Sequence, residues 1–276
     1  MSITCCLGLT IGYVGVLYVH PRTRPSSTVF RNDNAVIKAR VTAITFSSTL
    51  SAVATAYILT SSNKFSISRG LDAIRVWPVP PIWELLRSSM LVTSVLFIGP
   101  LVEKLILNKG WKYLREDLTE GLTGWIGIRN YIVGPFTEEL VFRACIVSIE
   151  LQSGMSPVKS IWVSPLYFAT AHIHHAYEVY TESPDALSFA IISSLFQFGF
   201  TTLFGWYSTF LFLRTGSVWP PFIAHAFCNS MGVPRLGARL EGPAWYTHLY
   251  NALLVGGAIS FGLLLYPLTK TPNAII

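Results

Sequence analysis

Thr137-Glu138-Glu139-Leu140-Val141-Phe142-Arg143 places two adjacent carboxylates and a guanidinium inside an apolar run that extends from Trp125 to about Leu151. A charged group at bilayer depth costs a few kcal/mol or more, so such residues face a protein interior and mark function or a specific pairing. Glu139 and Arg143 are four residues apart, which makes them neighbours on one helix face with the acid on the favoured N-terminal side. Glu138 projects about 100° away from Glu139, so it is the carboxylate left free. A purely structural clamp between helices is the competing reading, but a clamp needs only one acid and one base. Either way, the stretch predicts an all-α, polytopic membrane bundle.

The rest of the chain agrees with that fold class. Of its 276 residues, 51% are hydrophobic and only 12% charged, against about 25% charged in ordinary soluble domains. The mean hydropathy is +0.50. Eight apolar segments run roughly over 3–19, 41–60, 88–107, 125–151, 157–177, 186–213, 217–233 and 245–267, each near the length needed to cross a bilayer. They predict about eight transmembrane helices around a polar cavity. Residues 1–123 would supply N-terminal helices and an interfacial segment, and residues 124–276 the catalytic helices, as one integrated membrane domain. Pro78-Val79-Pro80-Pro81 stops any helix in the second loop. Pro220-Pro221 makes the segment 217–233 a candidate for a tilted, broken or re-entrant helix.

The net charge of +6 is scattered between apolar segments, which fits basic loops at an anionic membrane surface and not a nucleic-acid stripe. Loops after the first, third, fifth and seventh segments carry more Lys and Arg, and the positive-inside rule assigns that side to the cytosol and both termini to the other. The four cysteines build no disulfide framework. Cys5 and Cys6 are adjacent, and Cys145 and Cys228 lie within apolar segments.

Further polar residues interrupt the apolar pattern. The fifth segment becomes histidine-rich at its end, with Phe168 one turn before His172 and with His174-His175 beyond; the seventh holds His225 and Asn229 four apart; the sixth adds Gln197, Thr201 and Thr202. Taken singly, each histidine is an ordinary packed side chain. Together with Glu138 and Glu139 they are groups that the bilayer cannot solvate, and they find partners most cheaply around one shared cavity.

A carboxylate and an imidazole sharing a water molecule can take its proton. An imidazole and a carboxamide one turn apart form a donor pair suited to an oxyanion. This equipment points to water-mediated acyl hydrolysis: Glu138 and His172 on the water, His225 and Asn229 on the oxyanion, and Glu139, Arg143 and Phe168 as the brace, with no metal and no cofactor.

Two rival chemistries use the same residues. Zinc ligation by carboxylates and histidines is one, although the chain has no His-Glu-x-x-His helix and Glu138 and Glu139 point in different directions. A thiol mechanism is the other. Cys145 shares a face with Glu138, but two helical turns separate them by about 10 Å, and Cys228 is expected to point away from His225.

In order and spacing, Glu138-Glu139-x-x-x-Arg143, Phe168-x-x-x-His172 and His225-x-x-x-Asn229 resemble the three sequence boxes of the type II CAAX prenyl endopeptidases, the Ras-converting proteases. The flanks Asn130 to Pro135, Thr201 to Gly205, Phe212 to Gly216 and Phe227 to Gly232 resemble the eukaryotic branch. The similarity covers about residues 124–235. It implies an eight-helix endopeptidase of the endoplasmic reticulum, open to the cytosol. Such an enzyme removes the last three residues of farnesylated or geranylgeranylated CAAX proteins such as Ras-type small GTPases, with the prenyl chain in membrane lipid. It also implies a glutamate-dependent, metal-independent reaction with Glu138 and His172 activating water and His225 and Asn229 binding the oxyanion.

Glu178, Glu182 and Asp185 form an acidic loop that would attract basic stretches preceding a prenylated cysteine, unless it is simply solvated. Readings of other classes are a non-catalytic membrane scaffold, which a missing His or Asn would signal, and a proton-relay transporter, which would show paired repeats.

Overall fold

The computed structural model describes residues 2–26, 28–60, 66–182, 187–237 and 239–276. Among them the regular structure is all helix, apart from one isolated extended bridge between Ser26 and Val29. We number the helices α1 (Ser2–Val19), α2 (Asn34–Thr60), α3 (Ile67–Ala73), α4 (Ile82–Leu96), α5 (Ile98–Leu107), α6 (Leu114–Thr123), α7 (125–152), α8 (Pro157–Ala171), α9 (His174–Glu182), α10 (Leu187–Thr215), α11 (Trp219–Met231) and α12 (Ala244–Thr269). Every apolar segment of the sequence is occupied by helix. Three of them, α2, α10 and α12, are long and apolar enough to cross a membrane unaided, and α4–α5 makes a fourth if its 81° bend lies within one span. The remaining apolar helices are shorter or interrupted.

Helix α7 is the axis of the bundle. Its side chains are buried without interruption from Glu139 to Glu150. Cys6 and Tyr13 of α1 and Phe168 of α8 pack on one flank, against Val141, Phe142 and Ile146. Ala56 of α2 and Phe212 and Leu213 of α10 pack on the other, against Leu140, Ala144 and Val147. Two stretches of α7, Ile128–Val133 and Leu140–Cys145, are π-helical, a widening that often accompanies functional sites. The solvent logic of a soluble protein is inverted. Phe46, Leu50, Ile192, Phe196, Ile259 and Leu263 face outward, while Glu139, Arg143, Ser208 and Arg214 are buried.

Local chemistry sets the helix ends. Ser156 caps α8, accepting from the Lys159 amide at 3.3 Å, with Pro157 in the first turn. Pro220 and Pro221 also fall in a first turn, that of α11, where no intrahelical N–H is needed. Of the alternatives tilted, broken or re-entrant, the break is therefore absent, and α11 runs unbroken to Gly232, whose φ of +67° ends it. Helices α8 and α10 approach so closely that a Cβ on Gly205 would lie 2.6 Å from the Cβ of Pro165.

Candidate active site

Adjacent in sequence, Glu138 and Glu139 have opposite surroundings. Glu139 is fully buried and accepts three hydrogen bonds: from Arg143 Nη1 at 3.1 Å, His225 Nδ1 at 2.7 Å and Ser208 Oγ at 2.5 Å. The i,i+4 pair read from the sequence is present, and two further helices tie into it. The Arg143 guanidinium lies 4.5 Å from the Phe168 ring centroid and 5.7 Å from that of Phe204, so aromatic faces cover the charge that Glu139 leaves unpaired.

Glu138 instead lines a cavity of about 400 Å³ together with His172, His225 and Asn229. Its Oε2 lies 3.5 Å from His225 Nε2, too long for a strong direct bond. All four residues predicted to carry chemistry thus face one space. Its walls mix polar groups from Tyr13 and Asn130 with apolar side chains such as Leu17, Ile44 and Phe200.

Backbone and side-chain partners orient each polar group. His172 Nδ1 donates to the Phe168 carbonyl at 2.8 Å, which leaves Nε2 as an acceptor in the neutral ring. The Phe168 ring packs edge-on against His172, with centroids 4.5 Å apart. His225 spends its Nδ1–H on Glu139, so its Nε2 donates only when the ring carries a second proton. Asn229 Nδ2 donates to the Asn130 carbonyl at 2.9 Å, leaving the second amide hydrogen for a ligand. Tyr13, on the cavity wall, shares a hydrogen bond of 3.1 Å with Thr137.

Several site features were not read from the sequence. Ser208 is one; in a helix rich in hydroxyl residues nothing singles it out. Asn130 was noticed only as a flank of the first box, yet its carbonyl fixes Asn229. Arg31, Arg40 and Arg129 line the mouth of the cavity and come from segments remote in sequence.

Two expectations are corrected. Cys228, expected to face away, contributes to the cavity wall, whereas Cys145 is sealed in the core. Glu178 is no solvated loop acid. It is buried, pairs with Arg40 Nη1 at 2.6 Å, and accepts from His175 Nδ1 at 2.8 Å, so its charge is used inside the fold. Asp185 and the side chain of Glu182 lie outside the described residues. Among those residues, the grouping of ligand-type side chains with donor atoms within 4.8 Å of one another is His174, His175 and Glu178, not the carboxylates and histidines of the boxes.

Comparison with known proteins is consistent across the chain. The family described as "Type II CAAX prenyl endopeptidase Rce1-like" matches residues 120–231. "Probable CAAX prenyl protease 2" of Schizosaccharomyces pombe is 40% identical over 90% of this chain and 87% of its own length. "CAAX prenyl protease 2" of Homo sapiens is 34% identical over 98% of this chain and 81% of its own, and that of Arabidopsis thaliana 32% identical over 98% and 90%. No solved structure matches the chain significantly. With similarity of this extent spanning the boxes and the N-terminal helices alike, the chain belongs to the type II CAAX prenyl endopeptidase family.

Proposed function

We infer that this multi-pass membrane protein is a CAAX endopeptidase that releases the aaX tripeptide from prenylated CAAX proteins, with Glu138 and His172 activating the attacking water. The single observation that carries the assignment is the division of labour between adjacent carboxylates: Glu139 is saturated by three donors, whereas Glu138 stays on the cavity face. Glu138, with the bare Nε2 of His172, takes a proton as the water oxygen attacks the scissile carbonyl. The resulting oxyanion is held by the free amide hydrogen of Asn229 and, when its ring carries a proton on Nε2, by His225. The proton taken from water passes to the departing amine as the tetrahedral intermediate collapses, so atoms and charges balance.

The cavity mouth is built from the first loop (Arg31), the start of α7 (Arg129 and Asn130), the turn between α8 and α9 (His174) and the end of α11 (Gly232). These are the ends that the charge asymmetry of the loops assigns to the cytosol. This supports a site in the endoplasmic reticulum membrane that opens to the cytosol, where Ras-type GTPases are the expected substrates. A lipid-inserted prenyl chain, worth about 0.8 kcal/mol per buried CH₂, would bring the modified cysteine to the right depth.

The test is tripeptide release from a farnesylated peptide by the purified protein, with and without a strong chelator. Glu138→Ala, His172→Ala, His225→Ala and Asn229→Ala should each lower kcat by about 10²-fold or more, and chelation should leave the wild type unchanged. Full activity in any variant removes that residue from the mechanism. Loss on chelation that added zinc restores would replace the carboxylate mechanism with a metal one.

A further inference from the structure

The product of this reaction carries a free α-carboxylate, and so does the substrate end from which it is cut. A protease that removes a C-terminal tripeptide gains register if a cation meets that carboxylate. Of the three arginines at the cavity mouth, two are already engaged. Arg40 donates from Nη1 to Glu178 and from Nε to the Thr23 carbonyl at 2.9 Å. Arg129 donates from Nε to Asn130 Oδ1 at 2.9 Å, from Nη1 to the Arg31 carbonyl at 3.0 Å and from Nη2 to Asn32 Oδ1 at 3.2 Å. The Arg31 guanidinium has no hydrogen-bond or ion-pair partner among the described residues, is exposed, and contributes to the cavity lining.

Arg129 is therefore a bracket for the Arg31 loop, and the bracket is joined to the site itself. Asn130, next to Arg129, holds Asn229 through its carbonyl. The spacing is suitable. Nine helical steps separate Arg129 from Glu138, roughly 13 Å along the axis at α-helical rise, and somewhat less across the π-helical turns. Three extended residues span about 10 Å. With Glu178 paired to Arg40 and His175, the arginines give this part of the cavity lining a surplus of positive charge.

On the peptidase reading above, we propose that Arg31, held in place by Arg129, is a specificity-determining residue that binds the C-terminal carboxylate of the substrate. The guanidinium fork matches a carboxylate in a two-point contact. This fixes how many residues lie between the chain end and the bond presented to Glu138, and so measures out a tripeptide.

The experiment compares two farnesylated peptides that differ only in ending as a carboxylate or a carboxamide. Each is cleaved by wild type, Arg31→Gln and Arg31→Lys in bilayers of neutral lipid and again with anionic lipid. In wild type the carboxamide should lower kcat/KM by about 10- to 100-fold, mainly through KM. Arg31→Gln should lower the carboxylate peptide by a similar factor while costing the carboxamide little more, so that the two changes are strongly non-additive. Arg31→Lys should recover part of the loss. Equal cleavage of the two peptides by wild type, or an equal effect of Arg31→Gln on both, overturns the assignment while leaving the peptidase reading intact. An Arg31→Gln effect seen only with anionic lipid assigns the residue to a headgroup phosphate and overturns it as well. Cleavage of neither peptide by wild type defeats both readings.

Discussion

His225 donates a 2.7 Å hydrogen bond from Nδ1 to Glu139 Oε1, which sets both the orientation of the imidazole and the nitrogen it shows to the cavity. On the proposed mechanism Glu139 braces the site and Glu138 acts on the water, and isosteric substitutions should separate them. Glu139→Gln leaves Arg143 as an uncompensated buried charge, so thermal unfolding in detergent should report a loss of about 3–5 kcal/mol. Glu138→Gln should unfold as wild type does while tripeptide release falls by about 10²- to 10⁴-fold. The reverse pattern would exchange their roles.

Ser208 offers a milder probe of the same junction. Its hydroxyl meets Glu139 Oε2 at 2.5 Å, and a bond to a charged group contributes about 1.5–3 kcal/mol. Ser208→Ala should lower stability by that amount and reduce kcat without raising KM. A rise in KM with unchanged kcat would mean that Ser208 meets substrate instead of bracing the carboxylate.

Phe168 touches three functional groups at once: its ring centroid lies 4.5 Å from that of His172, 6.0 Å from that of His225 and 4.5 Å from the Arg143 guanidinium. Phe168→Ala should cost about 3–5 kcal/mol. Phe168→Leu fills most of the volume but removes the aromatic face from Arg143. It should keep most of the stability and lose activity, which parallel unfolding and turnover measurements would separate.

The Arg40–Glu178–His175 cluster predicts how the contact between α2 and α9, at the cavity mouth, responds to acid. Burial pushes the Glu178 carboxyl up, but the His175 hydrogen bond and charge, with Arg40 and Arg31 adding to them, hold it down at about 2, against an ordinary value of 4.5. A carboxyl depressed by folding stabilises the fold fully above its unfolded value and loses that contribution as pH falls through its folded one. The stability gap between wild type and Glu178→Gln, on the order of 3 kcal/mol near pH 5, should shrink between about pH 4.5 and 2. Unfolding midpoints across that range would check it, and a gap that widens on acidification would contradict it.

The sequence was most informative where polar chemistry conflicted with its surroundings. Glu138, Glu139, Arg143, His172 and His225 stand out because a bilayer cannot solvate them, and their i,i+4 spacings translated directly into shared faces. Ser208, Asn130 and Arg129 were illegible for the opposite reason. A hydroxyl in a helix or an arginine near a loop is unremarkable until folding supplies a distant partner. Helix positions were legible from apolar run length, but the π-helical turns of α7 were not, and the 81° bend between α4 and α5 falls at Phe97, where Pro100 interrupts a run that reads as continuous. The start of α2 at Asn34 was also missed, because its first turns carry Lys38 and Arg40 and read as loop.

The contact between Gly205 and Pro165 bears on how the enzyme responds to the bilayer that holds it. Each lies three residues before a site residue on its own helix, Ser208 and Phe168. The separation of α8 and α10 thus depends on a missing methyl group. A wedge there, whether an alanine or an intruding acyl chain, would prise apart the layer beneath the chemistry without touching a reacting atom. If lateral pressure reaches this contact, turnover should vary with the packing of the surrounding lipid.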